Sequence, residues 1–213
     1  MTEGARSVEI ERKYDVDVGT PLPDWTGIDS VDAASAGELR ELDARYFDTD
    51  DAALARAGVA VRRRTGGPDA GWHIKGPREG DGRVEIAWPL DEGSLGSDGT
   101  AGGTVPDAVT DALARWTADP LTPLARIENH RTAYLLTGPG GVVAEFVDDR
   151  VRATDLRQGV QREWREWEVE FGPAAPADDA GRDALFAVIE TAVFAAGGRA
   201  AASDSKLARA LGH

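Results

Sequence analysis

Residues 6–18 (RSVEIERKYDVDV) alternate with a period of two, placing Val8, Ile10, Arg12 and Tyr14 on one face and Glu9, Glu11, Lys13 and Asp15 on the other. That period predicts a strand. Further strands are predicted over 38–48, 59–65, 71–76, 82–90, 125–137, 142–151 and 161–171, which makes eight. Gly66-Gly67-Pro68-Asp69, Glu79-Gly80-Asp81-Gly82 and Gly138-Pro139-Gly140-Gly141 separate successive strands as hairpin turns do, so the strands they join run antiparallel. Helical patterns fit 50–57, 106–116 and 178–196, the last stopped by Gly197-Gly198, with a closing turn over 203–211. Residues 91–104 read as a Gly/Ser loop.

The polar faces of these strands are unusual. Glu9, Glu11 and Lys13 share a face, as do Arg62 and Arg64, His73 and Lys75, Arg83 and Glu85, and Glu166, Glu168 and Glu170. The opposite faces carry Val8, Ile10, Val59, Val61, Trp72, Ile74, Val84, Ile86, Trp88, Trp167, Val169 and Phe171. Two arrangements account for this: a sheet with a charged outer surface, or a barrel with a charged interior and helices over its outer wall. A solvated surface interleaves its signs, because like charges on one face repel. Repetition of like-charged pairs over several strands favours a site.

At 213 residues the chain is expected to form one domain, over 1–213. Without cysteine it has no disulfide, thiolate metal ligand or cysteine nucleophile, and His73, His130 and His213 are too scattered for a zinc site. The first residues lack a signal-peptide core and no apolar run is long enough to span a membrane, so a soluble cytoplasmic protein is expected. The net charge of −14 argues against nucleic acid or an anionic membrane as partner, and any polyanion has to bind in a locally basic site. No glycine-rich phosphate loop of the G-x-x-x-x-G-K-[ST] type occurs. The chain has 21 arginines and only Lys13, Lys75 and Lys206 as lysines, which marks those three as positions where a compact ammonium does what a guanidinium cannot.

Glu9-Ile10-Glu11-Arg12-Lys13 at the head of the first strand resembles the E-x-E-x-K signature of the CYTH superfamily, the triphosphate tunnel metalloenzymes. Tyr46-Phe47-Asp48-Thr49, Leu54 and Gly58, Val61-Arg62-Arg63-Arg64, Ile74-Lys75-Gly76-Pro77, Arg83-Val84-Glu85, Arg126, Arg131, Asp149, Glu168-Val169-Glu170 and Ser205-Lys206 follow in the order of that family's elements. The resemblance covers nearly the whole chain and takes in all three lysines. It departs at Val61, where the family has Leu, and at Asp148-Asp149, where alternation from Glu145 selects Asp149.

The resemblance implies a mainly β (α+β) fold, an eight-stranded antiparallel closed barrel with a few flanking helices and a charged tunnel. It implies a metal-dependent triphosphatase, with inorganic triphosphate as the expected substrate; thiamine triphosphatase, class IV adenylyl cyclase and a non-catalytic polyphosphate-binding module are the alternatives. Glu9, Glu11, Asp149, Glu168 and Glu170 are then expected to hold one or two Mg²⁺ or Mn²⁺ ions. Lys13, Arg62, Arg64, Lys75, Arg83, Arg126, Arg131 and Lys206 are expected on phosphate oxygens, with Glu9, Glu11, Lys13, Glu168 and Glu170 as the catalytic set. Glu85 is left between orienting an arginine and joining the metal shell, and His73 between phosphate contact and a structural hydrogen bond. Trp25, Trp116, Trp164 and Trp167 are expected to pack rather than stack on a ligand. The protein is expected as a monomer or a homodimer.

Overall fold

A computed structural model describes residues 3–90, 105–203 and 205–213; the loop expected over 91–104 lies outside the described residues. The strands are β1 (Ala5–Val16), β2 (Ala33–Ala34), β3 (Glu38–Asp48), β4 (Ala60–Thr65), β5 (Gly71–Glu79), β6 (Gly82–Pro89), β7 (Thr122–Gly138), β8 (Gly141–Asp155), β9 (Val160–Phe171) and β10 (Arg199–Ala200). The helices are α1 (Ala53–Arg56), α2 (Asp107–Leu113), α3 (Asp179–Ala195) and α4 (Lys206–Leu211). Hydrogen bonding runs in the order β1–β6–β5–β4–β3–β7–β8–β9 and returns from β9 to β1, so the eight long strands form a closed antiparallel barrel. The two-residue β2 and β10 attach to β7 and β1 and had no pattern long enough to be read from sequence.

β5 runs three residues beyond the expected Gly76 because its register with β6 slips between Lys75 and Arg78. Pro77 has no N–H for the ladder, so pairing resumes across an irregularity. Helix α1 is shorter than expected, a single turn from Ala53 to Arg56. It is entered through Ala52 at φ 59°. Asp48, buried at the end of β3, accepts from the backbone N–H of Thr49 (2.7 Å), Leu54 (2.9 Å) and Ala55 (3.0 Å). Helix α3 starts where the Asp178 side chain accepts from the Gly181 N–H, and α4 where Ser205 accepts from Ala208.

The chain packs as two compact units. The first comprises residues 1–9, 42–127 and 153–161, the second 10–41, 128–152 and 162–213. In the first, Phe47, Val61, Trp72, Ile74 and Trp88 pack with Leu54 of α1 and with Val109 and Leu113 of α2. In the second, Tyr14, Phe146, Trp167 and Val169 pack under Leu185, Phe186, Ile189 and Val193 of α3. Trp167 and Val169 are fully buried in that cluster, so strand alternation turns Glu166, Glu168 and Glu170 to the opposite face of β9. Trp25 likewise meets Phe146 edge to face within this cluster, and Trp116 packs against the first unit's core.

Replacing Asp48 by Ala strands three N–H groups around a buried position, and urea unfolding is expected to show a loss of about 3 kcal/mol. The exposed Asp51→Ala change is expected to stay within about 0.5 kcal/mol; equal effects would show that the Asp48 carboxylate does not organise α1.

Candidate active site

The second unit gathers acids and cations on the face of β1 and β9 turned away from α3. The ladder sets Glu11 opposite Glu170, Lys13 opposite Glu168 and Asp15 opposite Glu166. Lys13 Nζ bonds the Glu168 carboxylate and lies 3.0 Å from Glu11 Oε2. Arg131, from β7, grips Asp149 of β8 with two parallel bonds of 2.8 and 2.7 Å and reaches Glu168 Oε2 at 2.6 Å. Lys206, the first residue of α4, lies 2.8 Å from Asp149 Oδ2 and 2.6 Å from both Glu166 Oε1 and Glu168 Oε1.

Asp149, Glu166 and Glu168 are all buried, with Asp149 at 0 % exposure. Burial opposes their charge, yet Lys206 and Arg131 hold the Asp149 pKa below its ordinary value. Lys13, Lys206 and Arg131 likewise outweigh burial at Glu168 and hold it well below the carboxylate range. The reverse holds for Lys206, which burial disfavours but Asp149, Glu166 and Glu168 keep charged well above the ordinary lysine pKa. Asp149, Glu168 and Lys206 are therefore ionised throughout the neutral range. Asp148, one residue away, is engaged elsewhere, accepting from Arg165 and from the Trp167 indole N–H.

One ligand oxygen from each of Asp149, Glu166 and Glu168 lies within 4.8 Å of the others, a hard-oxygen donor set of the kind that suits Mg²⁺ or Mn²⁺. Two of these three, Asp149 and Glu168, belong to the expected metal set. Glu166 was not placed in it, although its alternation with Glu168 and Glu170 is visible in the sequence. Glu11 enters the same group through Lys13, and Glu170 faces Glu11 across the ladder.

The first unit holds a second group. Lys75 Nζ bonds Glu9 Oε2, and Glu9 shares a hydrogen bond with Glu85. Glu85 Oε1 also lies 3.0 Å from His73 Nδ1 and 3.5 Å from Arg62 Nη2, while Arg62 Nη1 reaches the Tyr46 hydroxyl at 3.4 Å. His73 Nε2 is 2.9 Å from the Asp69 carbonyl, and the side chain is buried. His73 is thus held by structural hydrogen bonds, and Glu85 contacts Arg62. Arg64 pairs with Asp69. Glu9, one of the expected metal carboxylates, takes part in this group.

Burial and the hydrogen bond to Glu85 raise the Glu9 pKa to about 7 against the pull of Lys75. For Glu85, burial is outweighed by hydrogen bonds from His73 and Glu9 and by the charges of Lys75 and Arg62, and its pKa falls far below the ordinary range. Burial lowers the His73 pKa against the pull of Glu85. Two further arginines were expected on phosphate. Arg83 donates to the carbonyls of Gly76 (2.7 Å) and Gly58 (3.2 Å), and Arg126 makes a two-pronged pair with Asp43.

A carboxyl whose folded pKa of about 7 exceeds its ordinary 4.5 contributes stability that is fully present below about pH 4.5 and lost as the pH rises through 7. Carboxyl-carbon NMR is expected to show Glu9 titrating near pH 7, and the Glu85→Gln change to bring that midpoint down. A Glu9 midpoint below about 5 in the unmodified protein would remove the shared proton from the account.

The CYTH domain family model matches residues 7–194. Two uncharacterised proteins from two strains of Mycobacterium tuberculosis are each 37% identical over 220 residues, covering 98% of this chain and 41% of their own length. The chain thus spans about two fifths of the curated relatives it matches. Among solved structures, a candidate adenylate cyclase of Bacillus halodurans aligns over 96% of this chain and 97% of its own, at 18% identity and TM-score 0.62. A protein from Pyrococcus horikoshii aligns over 95% and 98% at 15% identity and TM-score 0.57. A candidate adenylyl cyclase of Hippeastrum with a dominant triphosphatase activity aligns over 94% and 93% at 16% identity and TM-score 0.56. At these identities the solved structures attest the fold, and the family match carries the assignment: the chain belongs to the CYTH domain family.

Proposed function

We propose that this protein hydrolyses a triphosphate, inorganic triphosphate first, with Mg²⁺ or Mn²⁺ held by Asp149, Glu166 and Glu168. CYTH proteins bind triphosphates, act on them as triphosphatases or cyclases, and depend on a metal. The observation that carries the choice is the close association, in one buried group, of a three-carboxylate oxygen set with the cations Lys13, Arg131 and Lys206. A bound metal supplies charge neutralisation on phosphate oxygens and activation of water. Phosphoryl transfer asks little covalent chemistry of protein groups, so placing cations around a charged leaving chain is the main task.

In this reading Lys13 and Arg131 hold phosphate oxygens beside the metal, and Glu11 keeps Lys13 in position. Arg62, Arg64 and Lys75, also expected on phosphate oxygens, pair within the first unit with Glu85, Asp69 and Glu9. Glu9, with a pKa near 7, is the carboxyl best suited to exchange a proton at neutral pH. Inorganic triphosphate is preferred because it needs no pocket for a base or a thiazolium ring. The activity of the Hippeastrum relative is of the same class.

Phosphate release should be measured with triphosphate, tetraphosphate, thiamine triphosphate and ATP, alongside cyclic AMP from ATP with Mn²⁺. Triphosphate is expected to be the best substrate, and cyclic AMP as the main product would replace hydrolysis by cyclisation. Glu168→Gln and Asp149→Asn are each expected to lower kcat by about a hundredfold or more, because the metal stabilises charge at the transferring phosphoryl. Wild-type turnover in either variant would sink the metal assignment.

Lys13→Arg and Lys75→Arg keep the charge but replace a compact ammonium by a longer planar fork at two crowded positions. Each is expected to lower kcat/KM for triphosphate at least about tenfold with little change in melting temperature. Unchanged kcat/KM would show that charge alone matters there.

A further inference from the structure

Lys206 stands on the same three carboxylates that form the oxygen donor set. Its contacts are not equivalent. The one with Glu168 has the geometry of a hydrogen bond, whereas Glu166 Oε1, though 2.6 Å from Nζ and buried, accepts no hydrogen bond. An ammonium's three N–H donors turn together at fixed mutual angles, and here they bond Glu168 without aligning on Glu166 Oε1. A divalent cation draws oxygens in by charge and completes its shell with water, with no proton that has to point at each ligand. The donor set is therefore better matched to a metal ion than to the ammonium resting on it.

We infer that Lys206 is a built-in counter-ion of this carboxylate group that a divalent cation displaces, so that metal loading frees the ammonium to meet a phosphate oxygen. This rests on the metal assignment proposed above. The exclusion is electrostatic, because oxygens in direct contact with Nζ cannot also bind a divalent cation without forcing two positive centres together.

Lys206 is the cation free to leave. Lys13 sits mid-strand in β1, and Arg131 sits mid-strand in β7 with both Asp149 oxygens in its fork. Lys206 lies at the first turn of a six-residue helix and reaches the group by a flexible four-carbon stem. Helix α4 itself stays in place, through Arg209 on Asp15 (2.5 Å) and Arg162 on the Ala210 carbonyl (2.7 Å), so the side chain swings and the backbone does not. Arg131 and Lys13 touch Asp149 Oδ2 and Glu168 Oε1 as well, but their strands hold their backbones close to the group, so the metal displaces Lys206 first.

With only three lysines in the chain, side-chain nitrogen or ε-carbon NMR gives three resolvable signals. Titration with Mg²⁺ in the absence of any phosphate is expected to move the Lys206 signal and to speed reductive methylation of Lys206 at least about tenfold, with Lys13 and Lys75 much less affected. By calorimetry, Lys206→Met is expected to bind Mn²⁺ at least about tenfold more tightly than the wild type. The metal-free variant is expected to melt lower than the wild type, with Mn²⁺ restoring the difference. If Mn²⁺ binds both proteins equally, or Mg²⁺ saturates the wild type while the Lys206 signal stays fixed, the displacement is wrong and the metal assignment survives. If neither protein binds Mn²⁺, both fall.

Discussion

The β1–β9 ladder imposes the constraint on which the second unit depends. Its register sets Glu11 against Glu170 and Asp15 against Glu166, and only Lys13 meets an opposite charge, Glu168, directly across the ladder. Like charges opposite one another in a sheet repel, and buried ones do so with little water to screen them. The two strands hold this register because cations reach them from elsewhere in the chain. Arg131 comes from β7, and Lys206 and Arg209 come from α4, where Arg209 reaches both Asp15 and Glu166. The last helix thus acts as a supply of positive charge for strands formed some forty to two hundred residues earlier.

This balance separates protein stability from the chemistry proposed for the site. The apolar side of β9, with Trp167 and Val169 beneath α3, is packed independently of the charges on its other face. The proposed metal acts on the ionic face alone and is not needed for the core. The proposed site is compatible with a net charge of −14, because screening over about 8 to 10 Å lets buried cations act on a polyanion.

The first unit solves a similar problem with fewer cations. Glu9 and Glu85 lie close enough to share a hydrogen bond, and two adjacent carboxyls in a buried place do not both ionise at equal cost. His73, Arg62 and Lys75 all favour charge on Glu85, so the proton resides on Glu9 up to neutral pH. Glu9, expected from its motif to ligate metal, is thus paired with Lys75 and shares a hydrogen bond with Glu85.

Period-two alternation in Glu9-Glu11-Lys13 and Glu166-Glu168-Glu170 by itself determined that these side chains share strand faces, because a strand turns every second residue the same way whatever surrounds it. Turn glycines and prolines fixed the antiparallel hairpins, and the motif order fixed the family and the closed barrel. Which acids meet was decided only by tertiary structure. Strand register brings Glu166 opposite Asp15, and the approach of α4 joins it through Lys206 to Asp149 and Glu168, while β6 brings Glu85 to Glu9. Arg83 turns to the carbonyls of Gly58 and Gly76 because backbone geometry around the Pro77 irregularity puts them within reach, and no local pattern encodes that. Alternation specifies a face; the identity of the partner on that face depends on cross-strand register and on helices distant in sequence, which a period of two does not contain.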